Sequence, residues 1–132
     1  YVTDVWDDIR ELTSGYFAGD EALRDVTGKR LHTQQTPVAL LLRIILSSTM
    51  PGDNVLDPLA GTGPTLVVAH QLGRNSIGIE IDPEYVKIIK NRLESPRPAD
   101  DITKHYNYYR FTPNLNGIWS LKDVMMKQRR LI

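Results

Sequence analysis

Asn54-Val55-Leu56-Asp57-Pro58-Leu59-Ala60-Gly61-Thr62-Gly63-Pro64-Thr65 is the stretch on which the fold turns. Its first four residues read as a short buried strand, and residues 57–63 as a glycine loop. Leu66, Val67, Ala69 and His70 then fall at helical spacing over residues 65–72, with Gly73 placed as a helix stop. Residues 76–81, Ser76-Ile77-Gly78-Ile79-Glu80-Ile81, read as a second buried strand. Asp82 suits the cap of a following helix with Pro83 at its first position, and that helix is expected to bury Tyr85, Val86, Ile89 and Leu93. Upstream, Val38, Leu41, Leu42 and Ile45 keep the i, i+3, i+4, i+7 rhythm of a helix with one buried stripe. Pro37 suits its first turn, and Met50-Pro51-Gly52-Asp53 reads as a turn. Strand, helix and strand in this order imply a parallel pair joined by a right-handed crossover. The fold class is α/β, a partial Rossmann-like sheet of parallel strands flanked by helices.

In open parallel sheets, ligands bind beyond the carboxyl ends of the strands. Glycines there let a ligand approach backbone that a side chain would block. Glu80 follows Asp57 by 23 residues, close to the separation of about 20 at which an acid receives ribose hydroxyls. A dinucleotide fingerprint requires a third glycine, but Leu66 occupies that position, and no Gly-Lys-Ser/Thr of a phosphate loop occurs. What fits is a nucleoside without a phosphate chain, held by acids and bare backbone. S-adenosylmethionine (SAM) answers that description. The alternative is that Asp57 and Glu80 are no more than turn and cap acids.

The segment Asp57-Pro58-Leu59-Ala60-Gly61-Thr62-Gly63-Pro64-Thr65 resembles the SAM-binding loop of the DNA amino-methyltransferases, enzymes of adenine N6 or cytosine N4. Ile77-Gly78-Ile79-Glu80-Ile81-Asp82-Pro83-Glu84-Tyr85 resembles that family's next segment, and His32-Thr33-Gln34-Gln35-Thr36-Pro37 an upstream one, with Val5-Trp6-Asp7 before it. The likeness runs from about residue 1 to residue 94, in the order of the permuted subgroup whose catalytic half comes first. It implies that Asp57, Leu59, Gly61 and Gly63 border the methionine part of SAM, with Ala60, Thr62 and Thr65 completing the loop. It implies that Glu80 holds the ribose, that Ile81, Asp82 and Tyr85 lie near the adenine, and that His32, Gln35 and Pro37 shape the opposite wall. Thr36 stands where the family usually has Lys, Leu59 where it has Phe, and Pro64 where it has Thr; Thr33-Gln34 replaces Pro-Thr. The family's catalytic Asp/Asn/Ser-Pro-Pro-aromatic tetrapeptide, which holds the amine of a flipped base, does not occur in this sequence. The resemblance therefore implies DNA as substrate, adenine N6 ahead of cytosine N4, and a catalytic half supplied from elsewhere in the same or another chain.

Of 132 residues, 41% are apolar and 24% charged, which suits one soluble domain and excludes fibrous or wholly disordered classes. Cysteine is absent, so disulfides and thiolate metal sites are excluded, and His32, His70 and His105 are scattered without metal-ligand spacing. The apolar run 38–46 is interrupted by Arg43 and too short to span a bilayer, and no signal-peptide pattern opens the chain. A cytoplasmic location is the expectation, and an oligomer is left open. Residues 1–31 form an acidic lead-in, 32–94 the SAM-binding core, 95–101 a proline-bearing linker and 102–132 a basic, aromatic tail. Seven acids face two bases over residues 1–26, and six bases face one acid over 102–132. Such ends attract one another, meet a polyanion, or simply stay solvated. Two other readings stand beside the leading one: a non-catalytic or degenerate partner subunit, and an RNA or small-molecule methyltransferase with a similar donor site.

Overall fold

The stripe Val38, Leu41, Leu42 and Ile45 becomes the inner face of a helix. In a computed structural model, which describes residues 5–9, 12, 19–32 and 34–109, helix α1 spans Val38–Ser48 and buries those four side chains. They pack against Val68, Ala69 and Leu72 and against Ile102 to form the larger core cluster. Pro37 lies one residue before the expected position, as the cap in extended conformation. The first free N–H of α1, that of Val38, donates instead to the Glu21 carboxylate at 2.7 Å, an acid from the lead-in segment doing what a cap side chain would do.

Strand β1 (Asn54–Asp57) and strand β2 (Asn75–Gly78) pair in parallel, with Asp57 opposite Gly78. Helix α2 (Pro64–Gln71) connects them, and helix α3 (Pro83–Glu94) follows. The end of α2 is a Schellman motif. Arg74 N–H reaches Ala69 C=O at 2.9 Å and Gly73 N–H reaches His70 C=O at 3.1 Å, with Gly73 at φ 72°. Gly78 is small for a packing reason: a Cβ there would lie 2.7 Å from Leu66 Cδ2. The second strand would stand off from α2 if any side chain were present.

Several expectations need correction. The second strand ends at Gly78, three residues earlier than expected; beyond it Ile79 bonds Asp57 C=O and Ala60 N–H of the glycine loop. Neither strand is buried on both faces: Leu56 is 60% exposed and Ile77 59%, with Ile79 just beyond β2 at 58%. Among the described residues the helices cover one face, and the other is open. Tyr85, Val86 and Leu93 are half-buried, so the inner side of α3 is made by Ile89 and, unexpectedly, Arg92.

Within residues 95–101 the chain is partly packed against the core. Pro98–Asp100 forms a short 3-10 turn whose Ala99 and Asp100 are buried, and a second turn, Ile102–His105, puts Ile102 into the main core. Among the described residues of the lead-in, Ala22 and Leu23 are buried, and Gln35 bonds Leu23 N–H and Glu21 C=O. Asp8 forms a two-pronged pair with Arg43 of α1 at 2.8 and 2.6 Å. Arg43 also stacks over Trp6 and donates to the Tyr109 hydroxyl in helix α4 (Tyr106–Tyr109). Most of the basic tail, residues 110–132, lies outside the described residues.

Two titratable groups contribute to how the fold responds to acid. Burial, helped by the charge of Lys104, pushes His105 down to about 4, so it is neutral in the folded protein. Burial alone would raise Asp100, but hydrogen bonds from Arg97 and Arg92 outweigh it and hold the carboxyl below its usual 3.8. Both contributions are complete above the unfolded pKa and vanish as pH falls through the folded one. Urea midpoints are therefore expected to fall in two stages, the first between pH 6.5 and about 4 as the unfolded chain protonates His105. The second begins below about 3.8. His105→Gln should flatten the first stage, and Asp100→Asn should weaken the second while lowering stability at neutral pH.

Candidate functional site

Parallel pairing brings the carboxyl ends of β1 and β2 to one edge of the sheet. The glycine loop leaves that edge from Asp57, and residues 79–82 leave it from Gly78. The two segments are sewn together by backbone bonds: Ile79 N–H to Asp57 C=O and Ala60 N–H to Ile79 C=O, both 2.9 Å. Asp57 Oδ1 accepts the N–H of Leu59 at 3.1 Å, which bends the chain into the loop.

Glu80 is aimed back into that loop. Its Oε2 accepts Gly61 N–H and its Oε1 accepts Asp82 N–H, each at 2.8 Å. A carboxylate offers about four acceptor positions, so one on each oxygen remains for a ligand hydroxyl. Gly61 and Gly63 both have positive φ, 54° and 78°, a conformation that costs other residues about 1–2 kcal/mol. Gly63 has a second reason to be glycine: a Cβ would lie 2.6 Å from Ile89 Cγ1 of α3. It caps α2 with its carbonyl, which accepts Val67 N–H at 3.1 Å. Pro64 follows as the first residue of α2, where its missing N–H costs nothing.

The opposite side comes from the segment before α1. The His32 ring lies over Gly61, with Nε2 3.5 Å from where a Cβ would be. It meets the Tyr85 ring at 5.3 Å between centroids, tilted by 52°. Tyr85 donates its hydroxyl to Leu31 C=O at 3.2 Å, and His32 Nδ1 accepts Gln34 N–H at 3.1 Å. The imidazole is thus held between loop and helix with Nε2 directed toward the glycine.

The residues singled out in the sequence divide into three groups. His32, Asp57, Leu59, Gly61, Glu80, Ile81, Asp82 and Tyr85 gather at the carboxyl edge. Leu59 and Ile81 are 87% and 97% exposed, apolar surface available to a flat ligand. Asp82 spends Oδ1 on the N–H of Glu84, capping α3 as expected. Ala60, Thr62 and Gly63 are buried and support the loop from beneath, and Thr65 is half-buried in the first turn of α2. Gln35 is turned elsewhere: Oε1 accepts Leu23 N–H and Nε2 donates to Glu21 C=O. Its side chain orders the entry to α1, as Pro37 does by capping it. Arg92 escaped notice in the sequence, although a charged residue at i+3 from Ile89 on an inner stripe was a readable signal. Among the described residues no three acidic or histidine side chains come together as a metal site, and no helix is long and apolar enough to cross a membrane.

Comparison with known proteins agrees with this arrangement. A family model described as DNA methylase, for N6 and N4 enzymes, matches residues 1–91. The type II methyltransferase M.HinfI of Haemophilus influenzae is 48% identical over 80 residues, which are 61% of this chain and 22% of that protein. The type II methyltransferase M2.DpnII of Streptococcus pneumoniae is 55% identical over 64 residues, 48% of this chain and 24% of that protein. The matched part is thus under a quarter of the length of either relative.

Gly61 and Gly63 should respond differently to the same small change. Gly63→Ala meets both the unfavourable φ and Ile89, and is expected to destabilise by about 2–4 kcal/mol. Gly61→Ala meets the φ cost with only an ordinary van der Waals contact to the His32 ring, and should lose about 1 kcal/mol. Urea unfolding of the two variants checks the ranking; equal losses would contradict the packing of α3 on the loop.

Proposed function

The chain belongs to the N6/N4 DNA methylase family, and we propose that it is the methyl-donor-binding part of a DNA methyltransferase. The donor is SAM, the family's methyl source. One observation carries the reading: Glu80 and the glycine loop at Gly61 sit together at the carboxyl edge of two parallel strands, with the carboxylate already oriented by Gly61 N–H. The free acceptor positions of Glu80 receive the two ribose hydroxyls. Ile81, Leu59 and the His32–Tyr85 pair supply apolar and aromatic surface around the adenine and the loop mouth. Asp57, at the start of the loop, offers negative charge toward the sulfonium and the amino group of the donor.

These residues bind and orient; none is a proton acceptor for the transfer. Methyl transfer to an exocyclic amine needs the nitrogen held in line with the sulfonium methyl, which is chiefly positioning. The residues for that task belong to a catalytic part carrying the Pro-Pro-aromatic loop. The open strand face, with Leu56, Ile77 and Ile79, supports this division. Strands of a parallel sheet are ordinarily covered on both faces, and an uncovered apolar patch of this kind marks a surface that another part occupies. The acceptor we favour is adenine N6, with cytosine N4 as the alternative product of the same assay.

A non-catalytic donor-binding subunit is the second reading, favoured by Thr36 in place of the usual Lys beside α1. Pro64 does not favour it, since that residue fits its helix position without disturbing the loop.

Calorimetry is expected to detect SAM binding to the chain, and Glu80→Ala should weaken it at least tenfold, since each charge-assisted hydrogen bond is worth about 1.5–3 kcal/mol. Absence of binding to the unaltered chain would overturn the donor-site reading. With the catalytic part supplied, transfer of labelled methyl from SAM to DNA, followed by hydrolysis and separation of the bases, identifies the acceptor. No transfer under those conditions would favour the non-catalytic subunit.

A further inference from the structure

The glycine loop is held from two sides, and the second holder is an ion pair with no place in the donor site. Arg92 of α3 and Asp100 of the following turn have side chains 3% and 0% exposed. Arg92 Nε and Nη2 bond the two carboxylate oxygens at 3.1 and 2.9 Å. Its Nη1 points the other way and donates to Thr62 C=O at 2.5 Å, the carbonyl between the two positive-φ glycines. Arg97 completes the carboxylate with bonds of 2.9 and 2.7 Å and reaches Glu21 C=O at 2.9 Å. The turn itself is fastened to α2, where Gln71 donates to Asp100 C=O at 2.8 Å and accepts Ile102 N–H at 3.2 Å.

Stability alone is a poor explanation of this arrangement. Well-packed apolar side chains often replace a buried ion pair without loss. What an apolar replacement could not do is grip a carbonyl. Glycine visits many backbone conformations, so a loop with two of them pays for its ordering when the ligand binds unless something orders it beforehand. Glu80 fixes the peptide entering Gly61, and Arg92 fixes the peptide leaving Thr62. Asp100, oriented in turn by Arg97 and Gln71, sets the plane of the Arg92 guanidinium.

We propose that Arg92, held by Asp100, is a positioning residue for the methyl donor: it locks the Thr62–Gly63 peptide so that the glycine loop is in its binding conformation before SAM arrives. The proline-bearing segment 95–101 is then a brace for the donor site. The inference rests on the donor-site reading above and adds to it a residue that does not face the ligand.

The test separates loop positioning from folding. A lysine at position 92 keeps the charge but cannot make the paired bonds to Asp100 and also hold Thr62 C=O. For Arg92→Lys, SAM affinity measured at a temperature where circular dichroism finds the variant fully folded is expected to fall about tenfold. Lys87→Ala, which breaks only the exposed pair with Glu84 on the same helix, should stay within about twofold of the unaltered chain. Asp100→Asn takes the place of Arg92→Lys if the latter does not fold. In the unaltered, ligand-free chain, hydrogen exchange at the Gly61 and Gly63 amides is expected to be slow, a measurement that requires no variant. Loss of thermal stability in Arg92→Lys with unchanged SAM affinity would overturn the inference and leave the donor site standing, as would fast exchange at those amides. Failure of the unaltered chain to bind SAM would overturn the donor-site reading itself, and the inference with it.

Discussion

Two strands of four residues, paired in parallel, constrain everything else in this domain. Because Asp57 lies opposite Gly78, whatever follows each strand emerges at the same edge. The glycine loop and residues 79–82 must share that edge. They do so through main-chain bonds and through the Glu80 carboxylate on Gly61 N–H. An antiparallel pair would send the second acid to the far end of the sheet. Parallel pairing needs a crossover, and α2 supplies it in eight residues by starting on a positive-φ glycine and stopping on a Schellman glycine.

Around this unit the chain spends its buried polar groups on joining segments far apart in sequence. Gln35 ties the entry of α1 to residues 21 and 23, Glu21 caps α1, and Arg97 returns to Glu21 C=O across 76 positions. Arg43 gathers Trp6, Asp8 and Tyr109 on the outer side of α1. These bonds close a ring from the lead-in, through α1 and the 3-10 turns, to α3 and the glycine loop. Buried polar groups of this kind are costly unless satisfied, so the segments they join stand or fall together.

The open strand face contrasts with that closed side. Val55 and Ser76 turn toward the helices, while Leu56 and Ile77 look outward at the same register position. A strand alternates its side chains between two faces, so covering one face necessarily presents the other. In a doubly covered parallel sheet such residues are core. Here, among the described residues, they lie uncovered next to the edge at which Glu80 meets the glycine loop.

Near-neighbour chemistry was enough to read the elements from the residues alone. The α1 stripe, the first strand, the Gly73 stop, the Asp82 cap and the Asp57-to-Glu80 placement each depend on positions a few residues apart, or on one supersecondary unit. The family likeness followed from the same local strings. What only the tertiary structure decided were pairings across the chain: that Leu56 and Ile77 are exposed, that Gln35 serves α1, and that Asp100 pairs with Arg92. A strand's hydrophobicity does not say whether both faces find a cover, and a proline pair does not say whether the turn it makes is packed. Arg92 is the sharpest case. Its charge is plain in the sequence, but Asp100 and Thr62, eight and thirty positions away, become its partners only when α3 folds back over the glycine loop.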